Sequence, residues 1–311
     1  MKLFMKNIKY LFLTFILVLF IFNIKIVILS SKEASLLFFN KIFITIFPFI
    51  ILSDILIYYD YHIFLKNTIG KFISKLFNID PNVSIIFILS ILTSTPNNAV
   101  FIKDMLDNNE IDIDTANRVL TFTYFPSISF IIGSIGISIY KSFKIGFILW
   151  ILCLFYNILI GIFTRSKIKF NRSNIKRSLK EKDDFFNILK KSIIKGINTS
   201  IIILGNLIIF TIIINLLNKY LNINIILYAI ISGFLEMTSG IVSINSLNIN
   251  LNYKLIFTFL ILSFSGLSIL FQSRSILSDY KINIKRTLII KLVFSIIISL
   301  VLWCVTTCCS T

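Results

Sequence analysis

A chain of 311 residues, 57% hydrophobic and only 14% charged, holds more apolar surface than a soluble domain of its size can bury. Its apolar runs reach the roughly 20 residues that a bilayer core demands, and its net charge of +17 is concentrated between them. These features exclude a soluble globular protein and predict an all-α polytopic membrane protein.

In chain order, the N-terminal stretch MKLFMKNIKYLFLTFILVLFIFNIKIVILSS has the basic start of a signal peptide. Its apolar core is long and no small-residue cleavage site follows, so residues 1–35 are expected to hold an uncleaved first membrane helix over 10–30. A second apolar segment, 36–58, contains Phe47-Pro48-Phe49 and ends near Asp54, within snorkelling distance of water. An amphipathic piece at 62–78 carries Lys66, Lys71 and Lys75 and is expected on the membrane surface. Segments 83–103, 117–140 and 143–164 complete a first unit, 36–164. The loop 165–193 is rich in Lys and Arg, from Arg165 through Arg172, Lys176 and Arg177 to Lys191, and poor in acids. Such loops mark the cytoplasmic face. Electrostatics alone would permit nucleic acid or lipid as its partner, but its only aromatics are Phe170, Phe185 and Phe186, so no nucleic acid is expected. A second unit, 194–311, holds segments 194–218, 224–246, 253–278 and 284–305.

Chemistry beyond the membrane finds little support. Cys153, Cys304, Cys308 and Cys309 form no Cys-x-x-Cys pattern, and the lone His62 has no ligand partner in sequence, so neither metal nor cofactor is expected. The acidic run KDMLDNNEIDID (103–114) lacks the glycine and terminal glutamate of a calcium loop and reads as a solvated connection. One histidine permits no Ser–His–Asp arrangement, and no Walker loop occurs, so no enzyme is expected.

The two units correspond at an offset of about 140 residues. FILSILTSTPNNAV (87–100) falls opposite YAIISGFLEMTSGI (228–241), FPSISF (125–130) opposite FSGLSI (264–269), and 143–164 opposite 284–305. Lys2, Lys6 and Lys9 place the N-terminus on the same cytoplasmic side as the basic loop. Five apolar segments lie between them, so one must be re-entrant or broken, leaving about eight to nine membrane segments. The candidates are 83–103, interrupted by Ser94, Thr95, Pro96, Asn97 and Asn98, and 117–140, interrupted at Pro126. The two units then enter from opposite sides as inverted repeats, with solute binding expected at mid-membrane where the helices break. Glu236, between Gly233 and Gly240, is the carboxylate of the second interruption. An ionisable group at that depth either serves function or is structurally paired, here with Arg274 or with free backbone amides. Ser268 and Gln272 follow the matching break and are expected to face the same cavity.

ISGFLEMTSG (231–240) with LSFSGLSILFQSRSIL (262–277), and more loosely FPFIILSDILI (47–57) and ANRVLTFTYFPSISFIIGSIG (116–136), resemble the YlbJ-like sporulation integral membrane proteins. These belong to the wider nucleoside-recognition, or Gate-domain, membrane superfamily. The resemblance runs from about residue 40 to 303 and implies a cell-membrane protein of endospore formation, needed for the spore envelope and its cortex. It also implies a small, unidentified solute and spore-envelope proteins as partners. Glu236, Gly233, Gly240, Ser268 and Gln272 match the family pattern. The family's Gly-Tyr-Pro-x-Gly-Ala stretch reads Thr95-Pro96-Asn97-Asn98-Ala99 after Ser94, keeping only the proline and the alanine. A Thr-Asn step in the family reads Thr123-Tyr124 here. Two readings follow: a transporter or channel, or a scaffold recruiting envelope machinery through 165–193.

Overall fold

The computed structural model describes residues 2–59, 61–93, 95–165 and 184–308. Ser94, Cys309 and 166–183 of the basic loop lie outside the described residues, as do the side chains of Lys2, Lys6, Lys9 and His62. The described residues contain helices and no strand.

α1 (Lys2–Phe22) leads through Asn23 into α2 (Ile24–Leu37), which passes through a π-helical stretch, Phe38–Phe43, into α3 (Ile44–Tyr58). The short α4 (Tyr61–Leu65) and α5 (Lys71–Phe77) flank a second π-helical stretch, Lys66–Gly70. There follow α6 (Ser84–Thr93), α7 (Asn97–Asp107), α8 (Ile113–Phe122), a π-helical stretch Ser129–Ile139, and α9 (Phe143–Phe163). After the basic loop come α10 (Phe185–Leu221), α11 (Ile225–Leu235), α12 (Met237–Ser246), α13 (Leu251–Phe264), α14 (Gly266–Ile276) and α15 (Ile284–Cys308). Among the described residues, five helical runs are long and apolar enough to cross a membrane: Ile24–Tyr58, Phe143–Phe163, Phe185–Leu221, Leu251–Ile276 and Ile284–Cys308.

Local chemistry sets several boundaries. Asp112 accepts the Thr115 amide at 2.8 Å and Ser142 the Ile145 amide at 3.3 Å, each satisfying a donor of a helix's first turn. Asn78 and Asn222 end α5 and α10 in the left-handed conformation that asparagine tolerates. The expected boundary between a first segment ending at 30 and a second starting at 36 is not where the chain breaks. Ser31 donates to the Val27 carbonyl at 2.7 Å, and Ser30 accepts the Asn215 side-chain amide at 2.8 Å. These polar residues are absorbed into one helix lying along α10. The break falls instead at Asn23, whose side-chain Nδ2 donates to the Tyr220 hydroxyl at 2.8 Å and whose Oδ1 accepts from Lys219 at 2.6 Å.

Side-chain contacts define two ends of the bundle. At one end, Arg118 donates to the carbonyls of Phe77 and Asn78, the Asn283 amide donates to Asn117, Lys103 pairs with Asp279, and Arg165 donates to the Lys75 carbonyl. That end gathers the starts of α6, α8 and α15 and the finishes of α7, α9 and α14. Asp54 near the end of α3 joins Ser192 and Lys195 near the start of α10 there too. At the other end, Tyr140 meets Thr258 at 2.6 Å, Lys254 donates to the Asn245 carbonyl at 2.7 Å, and Asn23 meets the finish of α10. Thus α6 and α7 form a hairpin from the first end. α11 and α12 form one whose finish lies at the second. α12 presses so closely on α11 that a Cβ on Gly240 would fall 2.0 Å from the Gly233 Cα.

Candidate functional site

The interruptions arise where the sequence places polar residues that cannot continue a helix. α6 stops at Thr93 and α7 restarts after the Thr95–Pro96 pair, because proline has no amide to continue the ladder. The chain after α8 stays non-helical from Thr123 through Ser127, with Pro126 in its midst. Thr95 ties these two breaks together. Its amide donates to the Phe125 carbonyl at 2.9 Å and its hydroxyl to the same oxygen at 3.2 Å. In the second half, Glu236 adopts an extended conformation between α11 and α12. Ser265 and Gly266, both at positive φ, separate α13 from α14.

Glu236 is buried and caps α12: Oε2 accepts the Ser239 amide at 2.7 Å. A carboxylate at that position satisfies an otherwise unpaired donor and favours the positive end of the helix dipole. Of the structural roles open to Glu236, pairing with backbone amides is therefore realised, whereas Arg274 donates to the Tyr280 carbonyl at the bundle's end instead. The cap does not isolate the residue. Glu236, Met237 and Thr238 line a partly open cavity of about 70 Å³ with Thr93, Thr95, Pro96 and Asn97 from the first hairpin. Pro126, Ser127 and Phe130 add the second break, and Ser268, Ile269 and Gln272 the first turns of α14. The remaining wall comes from Ile42, Ile46 and Ile50 on the long 24–58 helix and Thr199, Ile203 and Asn206 on α10.

Among the described lining residues Glu236 is the sole charged side chain; the other polar groups are hydroxyls and amides. Gln272 donates to Ser268 at 3.4 Å and Asn97 to the Thr93 carbonyl at 3.2 Å, leaving further donor and acceptor capacity toward the cavity. Its volume admits a few water molecules or one small hydrogen-bonding group, well below the several hundred Å³ of a drug-sized pocket.

Of the expected site residues, Glu236, Ser268, Gln272, Thr95, Pro96 and Asn97 come together here. Asn98 lies behind the lining, buried, donating to Thr123 at 3.3 Å with its own Oδ1 unpartnered among the described residues. Gly233 and Gly240 stand outside the lining, at the contact between α11 and α12. Thr199 and Asn206 were not anticipated; their signal is a polar residue in an otherwise apolar run. Lys291 was also missed. It is fully buried in α15, its Nζ 4.9 Å from the Tyr124 ring centre and 5.3 Å from that of Tyr156.

Comparison with known proteins gives one relationship to set beside this geometry. The chain is 21% identical over 313 residues to the sporulation integral membrane protein YlbJ of Bacillus subtilis (strain 168), covering 88% of this chain and 77% of that protein. No family model matches the chain, and no solved structure matches it.

Proposed function

We propose that this chain is a multi-pass cell-membrane protein of endospore formation that passes a small polar solute through a site centred on Glu236. The observation that carries this reading is the cavity itself, because both hairpin turns, the break at Pro126 and Ser127, and the first turns of α14 all contribute to it. Irregular backbone at membrane depth is tolerated where protein or a wet cavity satisfies it, and transporters place their sites at such points.

An inverted-repeat reading draws support from the order and direction of the helices. A long helix, a hairpin, a broken helix and a long helix follow one another in each half. In the first half the hairpin starts at the end bearing Arg118 and Asp279; in the second, its finish lies at the end bearing Tyr140 and Lys254. With the basic loop cytoplasmic, the first of these ends faces the cytoplasm and the N-terminus lies on the same side. Transport would then proceed by one repeat rocking against the other around Glu236. The similarity to YlbJ supports a role in sporulation; that the solute serves the spore envelope and its cortex is what the resemblance in sequence implies.

Solute passage and scaffolding are separated by exchanging charge at two places. Shuffling the order of residues 165–193, which keeps the positive charge that sets topology, is expected to leave spore formation intact while Glu236→Gln lowers it at least about tenfold; the opposite pattern would identify a scaffold acting through the loop.

A further inference from the structure

Lys291 sits two turns into α15, and the cavity does not use it. Its side chain is fully buried, and Nζ has no hydrogen-bond acceptor among the described residues. What surrounds it is aromatic. The Tyr124 ring centre lies 4.9 Å away and that of Tyr156 5.3 Å. Both rings are fixed by their hydroxyls: Tyr156 donates to the Lys291 carbonyl at 2.9 Å and meets Ser295 at 3.2 Å, while Tyr124 donates to Ser273 at 2.6 Å. Among the described titratable groups, Cys153 on α9 is the one that acts electrostatically on the amine besides the two tyrosines against it.

A buried ammonium has three donors to satisfy, and aromatic faces offset only a couple of kcal/mol of its lost hydration. A charge left so poorly compensated in an apolar interior is shed rather than kept. Lys291 lines neither of the two described cavities, and the ligand its amine can take without further room is a proton. The cage also touches the cavity. Tyr124 immediately precedes Phe125, whose carbonyl holds Thr95, and its hydroxyl is 3.1 Å from the carbonyl oxygen of Ile269, a lining residue.

We propose that Lys291 is a proton-exchange site, uncharged while the tyrosine cage is closed, and linked to the cavity through Tyr124. When the break at 123–127 moves, water reaches Nζ and the nitrogen lone pair takes a proton from a water molecule, leaving hydroxide that departs to bulk solvent. When the cage closes, the N–H bond breaks as the oxygen of a departing water accepts the proton, which leaves as hydronium. Proton exchange at Lys291 stands on its own geometry; its link to solute passage rests on the function proposed above.

The test is NMR of the full chain in lipid nanodiscs with lysine labelled by 13C at Cε. At pH 7 one resonance is expected at the neutral-amine position, lost in Lys291→Met or, should that variant fail to insert, in Lys291→Arg. All lysines resonating as ammonium at pH 7 would overturn the proposal. Tyr124→Phe keeps the ring but frees it from α14, and is expected to move the resonance toward the ammonium position; an unmoved resonance would refute the link to the cavity. Normal spores with Glu236→Gln would remove the transport reading without touching the lysine resonance, so the two failures are distinguishable.

Discussion

Thr95 and Phe125 join the two breaks of the first half through a single oxygen. The Phe125 carbonyl accepts both the amide of Thr95, at 2.9 Å, and its hydroxyl, at 3.2 Å. An acceptor shared in this way keeps the irregular backbone of both segments satisfied where no helix ladder can do so.

Thr95→Val keeps the shape and the amide bond and loses only the hydroxyl bond. A cost of about 1 kcal/mol is expected, read as a drop of a few degrees in the melting temperature of purified protein. A stability equal to the parent's would mean that the amide alone secures the two breaks.

The α11–α12 hairpin depends on the close approach of two glycines. A Cβ on Gly240 would lie 2.0 Å from the Gly233 Cα and 2.3 Å from its nitrogen, both backbone atoms that cannot swing aside. Gly240→Ala is expected to cost about 3 kcal/mol or more and to reduce the folded protein recovered from membranes. Gly205 on α10 has nothing within 4 Å of its missing Cβ. Gly205→Ala should therefore be neutral or stabilise by about 0.5–1 kcal/mol through helix propensity.

Asp54 accepts from Ser192 at 2.9 Å and pairs with Lys195, whose side chain is 53% exposed. Exposure limits such a pair to about 1 kcal/mol or less. A double-mutant cycle of Asp54→Ala and Lys195→Ala should return a coupling of that size, shrinking with added salt. Heat-resistant spore counts should remain at the parental level, since Asp54 lies away from the cavity.

Asp279 lies in the turn after α14, where its hydrogen bond from Lys103, and then the lysine's charge, hold its carboxyl below the usual carboxylate range. A carboxylate lowered by folding adds stability that is complete above its unfolded value, about 3.9, and is lost as pH falls through the lower folded value. The parent should thus melt slightly above Asp279→Asn from pH 7 down to about 4, and the gap should close below that. A gap that widens on acidification would contradict this assignment.

Much of the cavity was legible in the sequence because a polar interruption in an apolar run has few places to go. Glu236, Thr95, Pro96 and Asn97 were read that way, and they meet at the cavity. The pairing of the two glycines was not legible, since Gly233 and Gly240 flank Glu236 as lining residues would and only tertiary contact reveals them as a packing seam. Nor was the continuity from Ile24 to Tyr58: Ser30 and Ser31 read as a connection until their partners Asn215 and Val27 are known. Lys291 left a signal that went unused. It is the only charged residue between 287 and 308, but a sequence does not reveal the rings of Tyr124 and Tyr156 around it.

The most direct test of the central claim is complementation of a deletion strain with Glu236→Gln at matched membrane abundance, scored as heat-resistant spores. Glutamine keeps the size of the side chain and an oxygen able to cap α12, and removes the charge. A loss of at least about tenfold is expected, the effect of some 1.4 kcal/mol on an equilibrium or barrier, with the protein inserted and folded. Spore counts equal to the parent's would contradict a solute site centred on this carboxylate and reduce Glu236 to a helix cap.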